Sequence, residues 1–224
     1  RLVSFGLTAE GISPGDKIAI VSTTRYEWSL CDMAAIGARA VTVPVYPSLI
    51  AEDAAFIINH SEAKVVILEN TRQLHKLVTF ISEHRDSLPH LRTIVVLEPS
   101  TTDPSQERDI PQKIISLDEL KRNGRVEESK NPTRFSQNLS SADPDELITI
   151  CYTSGTTGLP KGAMLTHKNM MSILEDCVRV FNRHISPEKE VLLSFLPFSH
   201  ILGKVESMAI YTFGWQQWFA ESFE

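Results

Sequence analysis

Short β-branched runs alternate with amphipathic stretches through the first half of the chain. Lys17-Ile-Ala-Ile-Val21, Val41-Thr-Val-Pro-Val45, Lys64-Val-Val-Ile-Leu68 and Thr93-Ile-Val-Val-Leu97 have strand length and almost no polar alternation. Between them, Trp28–Ala40, Ala51–His60 and Thr71–Leu88 carry apolar residues at helical spacing, the last with Leu74, Leu77, Val78 and Ile81 on one face. Strands without a polar face, separated by helices, predict a parallel sheet covered on both sides and joined by right-handed crossovers. The predicted fold class is α/β, a mostly parallel sheet with helices on both faces.

The pattern breaks between Pro99 and Pro144. This stretch holds Pro99, Pro104, Pro111, Pro132 and Pro144 among the chain's 12 prolines, with many serines, asparagines and charges. Only Ile114–Leu120 has the apolar content to pack. We read 99–144 as a long surface excursion from one sheet, with a linker as the alternative. Periodicity then resumes: Glu146–Tyr152 reads as a strand, Ala163–Thr166 as a short strand and Asn169–Phe181 as a helix. Val191–Leu196 follows as a strand and Ile201–Phe213 as a helix. Arg1 falls inside a helical pattern and Glu224 follows no capping pattern. Residues 1–224 are therefore expected to be part of a longer chain.

Composition narrows the function classes. At ~150 residues per domain, 224 residues make one domain, or a large one plus a piece. With 42% hydrophobic and 22% charged residues the chain is ordinary for a globular protein. A net charge of -6 leaves no basic surplus for nucleic acid. Cys31, Cys151 and Cys177 are odd in number and scattered, which points to reduced thiols and a cytoplasmic setting. They read as small buried hydrophobes. Trp28, Tyr46 and Trp215 read as packing aromatics, Arg25 as a cap or a partner of Glu27, and His167 as bonding locally.

One segment carries chemistry: Tyr152-Thr-Ser-Gly-Thr-Thr-Gly-Leu-Pro-Lys-Gly162. Thr153, Ser154, Thr156 and Thr157 supply hydroxyls, while Gly155, Gly158 and Gly162 let backbone N–H groups approach a ligand. Lys161 adds a point charge. Hydroxyls, free amides and an ammonium after a strand suit phosphate. The alternative is a surface loop merely rich in Ser, Thr and Gly. It is not a Walker A loop, because Pro160 precedes Lys161 and Gly162 follows it.

The order of residues resembles the phosphate loop of adenylate-forming enzymes, and Thr166-His167 followed by Asn169 fits the same family. Arg25-Tyr-Glu-Trp28, Gly37-Ala38, Val43-Pro-Val-Tyr-Pro-Ser48 and Leu196-Pro-Phe-Ser-His200 resemble long-chain fatty acid–CoA ligases among them. The resemblance implies the N-terminal part of that family's large domain. It implies an enzyme that activates a fatty acid with ATP as an acyl-adenylate and passes it to coenzyme A. By the same resemblance, Thr153, Ser154, Gly155, Thr156, Thr157, Gly158, Lys161 and Gly162 would hold the ATP phosphates. Thr153 would also give a hydroxyl to Mg2+, and His200 would line the acyl pocket beside the reacting carboxylate. In place of the residues that long-chain members often carry after that histidine, this chain has Ile201-Leu-Gly-Lys204. The family's adenine-binding and ribose-binding motifs and its C-terminal domain have no counterpart in 1–224, so this chain by itself is expected not to make acyl-adenylate. Its sheet edge is expected to favour self-association, and the resemblance leaves room for peripheral membrane contact. Two alternatives stay open: another adenylating enzyme (an aryl or medium-chain ligase, or a carrier-protein loader) and a nucleotide-binding module without catalysis.

Overall fold

The computed structural model describes residues 1–99, 110–153, 159–181 and 190–220. The elements run α1 (Leu2–Ala9), β1 (Lys17–Val21), α2 (Tyr26–Gly37), β2 (Val41–Val45), α3 (Ala51–His60), β3 (Ala63–Asn70), α4 (Thr71–Glu83) and β4 (Thr93–Glu98). They continue with β5 (Lys113–Ser116), α5 (Leu117–Lys130), α6 (Arg134–Ser140), β6 (Leu147–Thr153), β7 (Lys161–Thr166), α7 (His167–Phe181), β8 (Val191–Ser194), α8 (Ile201–Phe213) and β9 (Gln216–Phe219). The main sheet has strand order β5-β4-β3-β1-β2-β6-β7, and β8 pairs with β9 in a second sheet. All ladders of the main sheet are parallel except β6–β7. The fold is the mostly parallel α/β sheet that the hydrophobic pattern predicts.

The strand pattern explains the layers. Successive side chains point to opposite faces. Ala19, Val21, Val66, Leu68, Ile94 and Val96 pack with α3 and α4 on one side. Ile18, Ile20, Val65, Ile67, Val95 and Leu97 pack with α1, α2 and α5 on the other. A third cluster sets Met170 and Leu174 of α7 and Ala209 of α8 against Ile148 of β6. The helix starts follow local chemistry. Asn70 accepts the Gln73 N–H at 3.2 Å to open α4, and Ser116 accepts the Glu119 N–H at 3.1 Å to open α5.

The expectation of a surface excursion over 99–144 needs correction from residue 113 onward. Lys113–Ser116 adds a parallel strand beside β4, and α5 packs on α1 with Leu120 fully buried. The end of the stretch is tied down as well. Arg39, in the left-handed conformation at φ 57°, reaches from the end of α2 to the Glu146 carboxylate and to Ser141 Oγ at 2.8 Å. That guanidinium holds the Glu146 carboxyl below the usual carboxylate range.

Pro44 sits inside β2, a strand with neighbours on both sides. Proline has no N–H for a ladder. The β2–β6 ladder registers through the single pair Thr42–Thr149, reinforced by the Thr149 hydroxyl donating to Thr42 O at 2.9 Å. Among the described residues no helix is long and apolar enough to cross a membrane. Met164, Leu193 and Trp218 are large apolar side chains left exposed on β7, β8 and β9.

Candidate active site

The phosphate-loop sequence connects two antiparallel strands. Thr153 ends β6 opposite Lys161, which begins β7, and Tyr152 faces Gly162 across the ladder. Thr153 and Lys161 are both exposed at this mouth. Ser154, Gly155, Thr156, Thr157 and Gly158 lie outside the described residues. Gly162 has a packing reason to be glycine. A Cβ there would meet Ile150 Cγ2 at 2.7 Å and the Tyr152 ring at 3.2 Å. The Tyr152 hydroxyl is hydrogen-bonded to His60 Nδ1 at 2.7 Å, and His60 in turn stacks on Phe56. Burial pushes the Tyr152 phenol above its ordinary value. The strand entering the loop is thus clamped to the end of α3.

His200 is the residue just before α8. Its Nδ1 accepts the Leu202 N–H at 3.2 Å. A ring nitrogen that accepts carries no proton, which leaves Nε2 as the ring's donor. The side chain is exposed. It is therefore a hydrogen-bond donor offered at a helix start, the form suited to a carboxylate oxygen.

The structure brings together sequence segments far apart in the chain. Thr24 Oγ1 donates to Leu196 O at 2.7 Å and accepts the Phe198 N–H at 3.3 Å. Ser199 Oγ donates to Val45 O at 3.2 Å. These bonds close a crevice of about 390 Å³ lined by Ser22–Thr24, Tyr46–Ser48, Glu69, Phe195, Pro197, Ser199 and Ala220. It lies beyond the carboxyl ends of β1, β2 and β3. There the chain turns from β1 to β2 in one direction and from β2 to β3 in the other, which is the topological switch point where open α/β sheets take ligands. Glu69 accepts the Thr23 N–H at 2.8 Å, and the Pro47 carbonyl is held by Gln73 Nε2 at 3.0 Å and by Lys76 Nζ at 3.1 Å. Burial holds the Lys76 ammonium below the ordinary lysine value.

Several residues acquire a place that their types do not announce. Tyr46, expected as a packing aromatic, is half-buried on the crevice wall, and burial raises its phenol pKa. Ser22, Thr23 and Thr24 were not singled out by sequence, and Ser48 and Ser199 only as members of longer matching runs. Their signal is positional, since most of them follow immediately on strand ends at the switch point. Trp28 is fully buried, and Trp215 stacks on Phe213 at 4.5 Å, both as packing residues. Arg25 bonds Glu27 at 2.8 Å and also Glu98 at 2.5 Å, which raises its guanidinium pKa further and lowers that of Glu27. Burial lowers the His167 pKa, and its backbone N–H bonds Glu146 O at 3.0 Å. Cys31 and Cys151 are buried and Cys177 is half-exposed. Among the described residues no three His, Cys, Asp or Glu side chains are grouped to hold a metal.

Comparison with known proteins agrees with this architecture. The long-chain-fatty-acid–CoA ligase FadD15 of Mycobacterium bovis is 33% identical over 211 residues, covering 94% of this chain and 32% of that protein. The peroxisomal long chain acyl-CoA synthetase 6 of Arabidopsis thaliana is 32% identical over 213 residues, covering 93% and 28%. The chain thus spans about a third of the length of these curated relatives. The inhibitor-bound N-terminal domain of FACL13 from Mycobacterium tuberculosis has the same fold, with a TM-score of 0.75 at 23% identity over 100% of this chain and 49% of that one. A family model described as AMP-binding enzyme matches residues 2–224, and the chain belongs to that family.

Proposed function

We propose that the chain forms the phosphate-gripping and carboxylate-facing part of an ATP-dependent long-chain fatty acid–CoA ligase. The observation that carries this reading is His200 at the start of α8, its Nδ1 accepting the Leu202 N–H so that Nε2 is the side to donate. Its preceding residues, Leu196–Ser199, are bonded to the ends of β1 and β2. The phosphate-loop hairpin rises from β6, the strand next to β2. That neighbourhood of strands supports reading a carboxylate donor and a polyphosphate grip as parts of one site.

In the proposed reaction a carboxylate oxygen attacks the α-phosphorus of ATP. The new C–O–P linkage forms as the bond to the β-phosphate oxygen breaks, and pyrophosphate leaves with the electron pair. The His200 Nε2–H orients the attacking carboxylate. Lys161 and the loop's amides and hydroxyls, Thr153 to Gly162, take up charge on the departing pyrophosphate. Each such charge-assisted bond is worth ~1.5–3 kcal/mol. Stabilising developing charge with preoriented donors is the dominant device in such chemistry. The coenzyme A thiol then attacks the acyl carbon, loses its proton and displaces AMP. For Mg2+, the Thr153 hydroxyl, exposed at the end of β6, is a hard oxygen ligand that would hold the ion beside the phosphates. When bound, that ion neutralises phosphate charge.

The test is carboxylate-dependent ATP–pyrophosphate exchange by the full-length protein, with acids from acetate to C18. Exchange should rise with chain length, and Lys161→Ala should lower it by about 10²-fold, the scale of losing one transition-state donor. Exchange confined to aryl or short acids would replace the substrate and keep the chemistry. No exchange with any acid, from a folded protein that binds ATP, would leave a nucleotide-binding module.

A further inference from the structure

One buried polar cluster has no part in the mechanism above. Lys204 lies in the first turn of α8 and is fully buried. Its ammonium is 2.5 Å from Asp32 Oδ1 of α2 and 2.9 Å from Thr42 Oγ1 of β2, and it stands 5.6 Å from the centre of the Trp28 ring. Asp32 is also fully buried, and its Oδ2 has no hydrogen-bond partner among the described residues. One turn further, Ser207 Oγ meets Ser29 Oγ at 2.7 Å, again between α8 and α2.

Such a pair is a poor way to gain stability. Desolvating both charges offsets most of their attraction, and apolar side chains of similar volume often pack as well or better. The unpartnered Oδ2 adds to the cost. What an ion pair supplies and apolar packing does not is direction, since an ammonium held at two oxygens fixes both rotation and translation of the helix turn that carries it.

That turn begins at His200, whose carbonyl accepts the Lys204 N–H at 3.0 Å. The other end of the cluster is the register pair of the β2–β6 ladder. Thr42 Oγ1 donates to Ile148 O at 3.3 Å, and Thr149 Oγ1 donates to Thr42 O at 2.9 Å. Ile148 and Thr149 lie on the strand that ends at Thr153. We propose that Lys204, held by Asp32 and Thr42, is a positioning residue that sets His200 relative to the strand leading into the phosphate loop. The proposal rests on the reading of His200 as the carboxylate donor.

The experiment compares wild-type full-length protein with Lys204→Met/Asp32→Leu and with Thr42→Val. Three quantities are read: melting temperature, amide hydrogen exchange of 199–206 and 148–152, and ATP–pyrophosphate exchange. The double variant removes both charges at similar volume and should melt within a few degrees of wild type. Its amides in both segments should exchange at least ten times faster, and kcat should fall 10- to 100-fold while KM for ATP stays within twofold. Thr42→Val, a milder change that keeps the ion pair, should speed exchange in 148–152 and lower kcat three- to tenfold. Variants that fold with wild-type protection and wild-type kcat would overturn the proposal and leave Lys204 a packing residue. If the wild type itself shows no pyrophosphate exchange, the fatty-acid activation reading fails. Hydrogen exchange then still decides whether the ion pair couples α8 to β6, and unchanged protection overturns that coupling.

Discussion

At the scale of single residues, a motif position can be held by packing as well as by ligand contact. Gly162 ends the phosphate-loop sequence, and its type alone suggests a backbone that approaches phosphate. Its surroundings add a second demand, because Ile150 Cγ2 and the Tyr152 ring occupy the space a side chain would take. Gly162→Ala should therefore destabilise by ~1–3 kcal/mol, the usual cost of an extra methyl in a filled site. Urea unfolding measures this. The cost should shrink in an Ile150→Ala background, since that change removes the nearest obstructing atom, and a double-mutant cycle isolates the coupling. Equal costs in both backgrounds would place the strain elsewhere. The strands flanking the loop were legible from sequence because apolar runs stand on either side of a Gly-, Ser- and Thr-rich segment. The clamp of His60 on Tyr152 was not, because a histidine at a helix end and a tyrosine at a strand end are individually ordinary. They meet only through the sheet order that puts β6 beside β2.

At the scale of elements, the strands with continuous β-branched runs were legible to within a residue or two, since burial on both faces demands that composition. The misread part of 99–144 runs from residue 113 onward. β5 is only four residues, Lys113-Ile-Ile-Ser116, at a sheet edge, and α5 buries only Leu117, Leu120 and Gly124 on an otherwise polar helix. A stripe that narrow does not stand out among charges. It suffices because α1 and α5 approach to backbone contact. A Cβ on Gly124 would fall 2.0 Å from Leu2 O, and one on Gly6 would fall 2.3 Å from Leu120 O. Glycine inside an exposed helix normally costs ~1 kcal/mol relative to alanine. Here the sign should reverse, and Gly124→Ala should destabilise by at least ~1 kcal/mol because backbone cannot swing aside as a side chain can. Val126→Ala, two residues on and exposed, is the control and should be neutral or slightly stabilising. Equal urea midpoints for the two variants would mean that α1 shifts without cost. β9 escaped sequence reading for a related reason: Gln216-Gln-Trp-Phe219 alternates weakly and its partner β8 is four residues long.

At the scale of the whole molecule, sheet order decides which groups are protected together, and the three thiols report on it. Cys31 is fully buried in α2, and burial, aided by nearby Glu27 and Asp32, pushes its thiol up to about 12. At pH 8 the thiolate fraction of such a group is about 10⁻⁴, against about a quarter for an ordinary thiol. Because only thiolate reacts, Cys31 is inert unless the fold opens. Cys151 is also buried and its thiol also raised, but it sits on β6, next to the edge strand β7. Cys177, on α7, is half-exposed. Edge elements open locally at lower free energy than central ones. A disulfide reagent at pH 8 should therefore modify one thiol quickly. Cys177→Ser should abolish that phase. Cys151 should follow at a rate set by opening of the β6–β7 hairpin, and Cys31 only with global unfolding. Because that hairpin carries the phosphate-loop sequence, ATP should slow the Cys151 phase and leave the Cys177 phase unchanged. Cys31 and Cys151 reacting at one common rate in dilute buffer would mean that the hairpin has no opening of its own. The proposed phosphate grip would then be as rigid as the centre of the sheet.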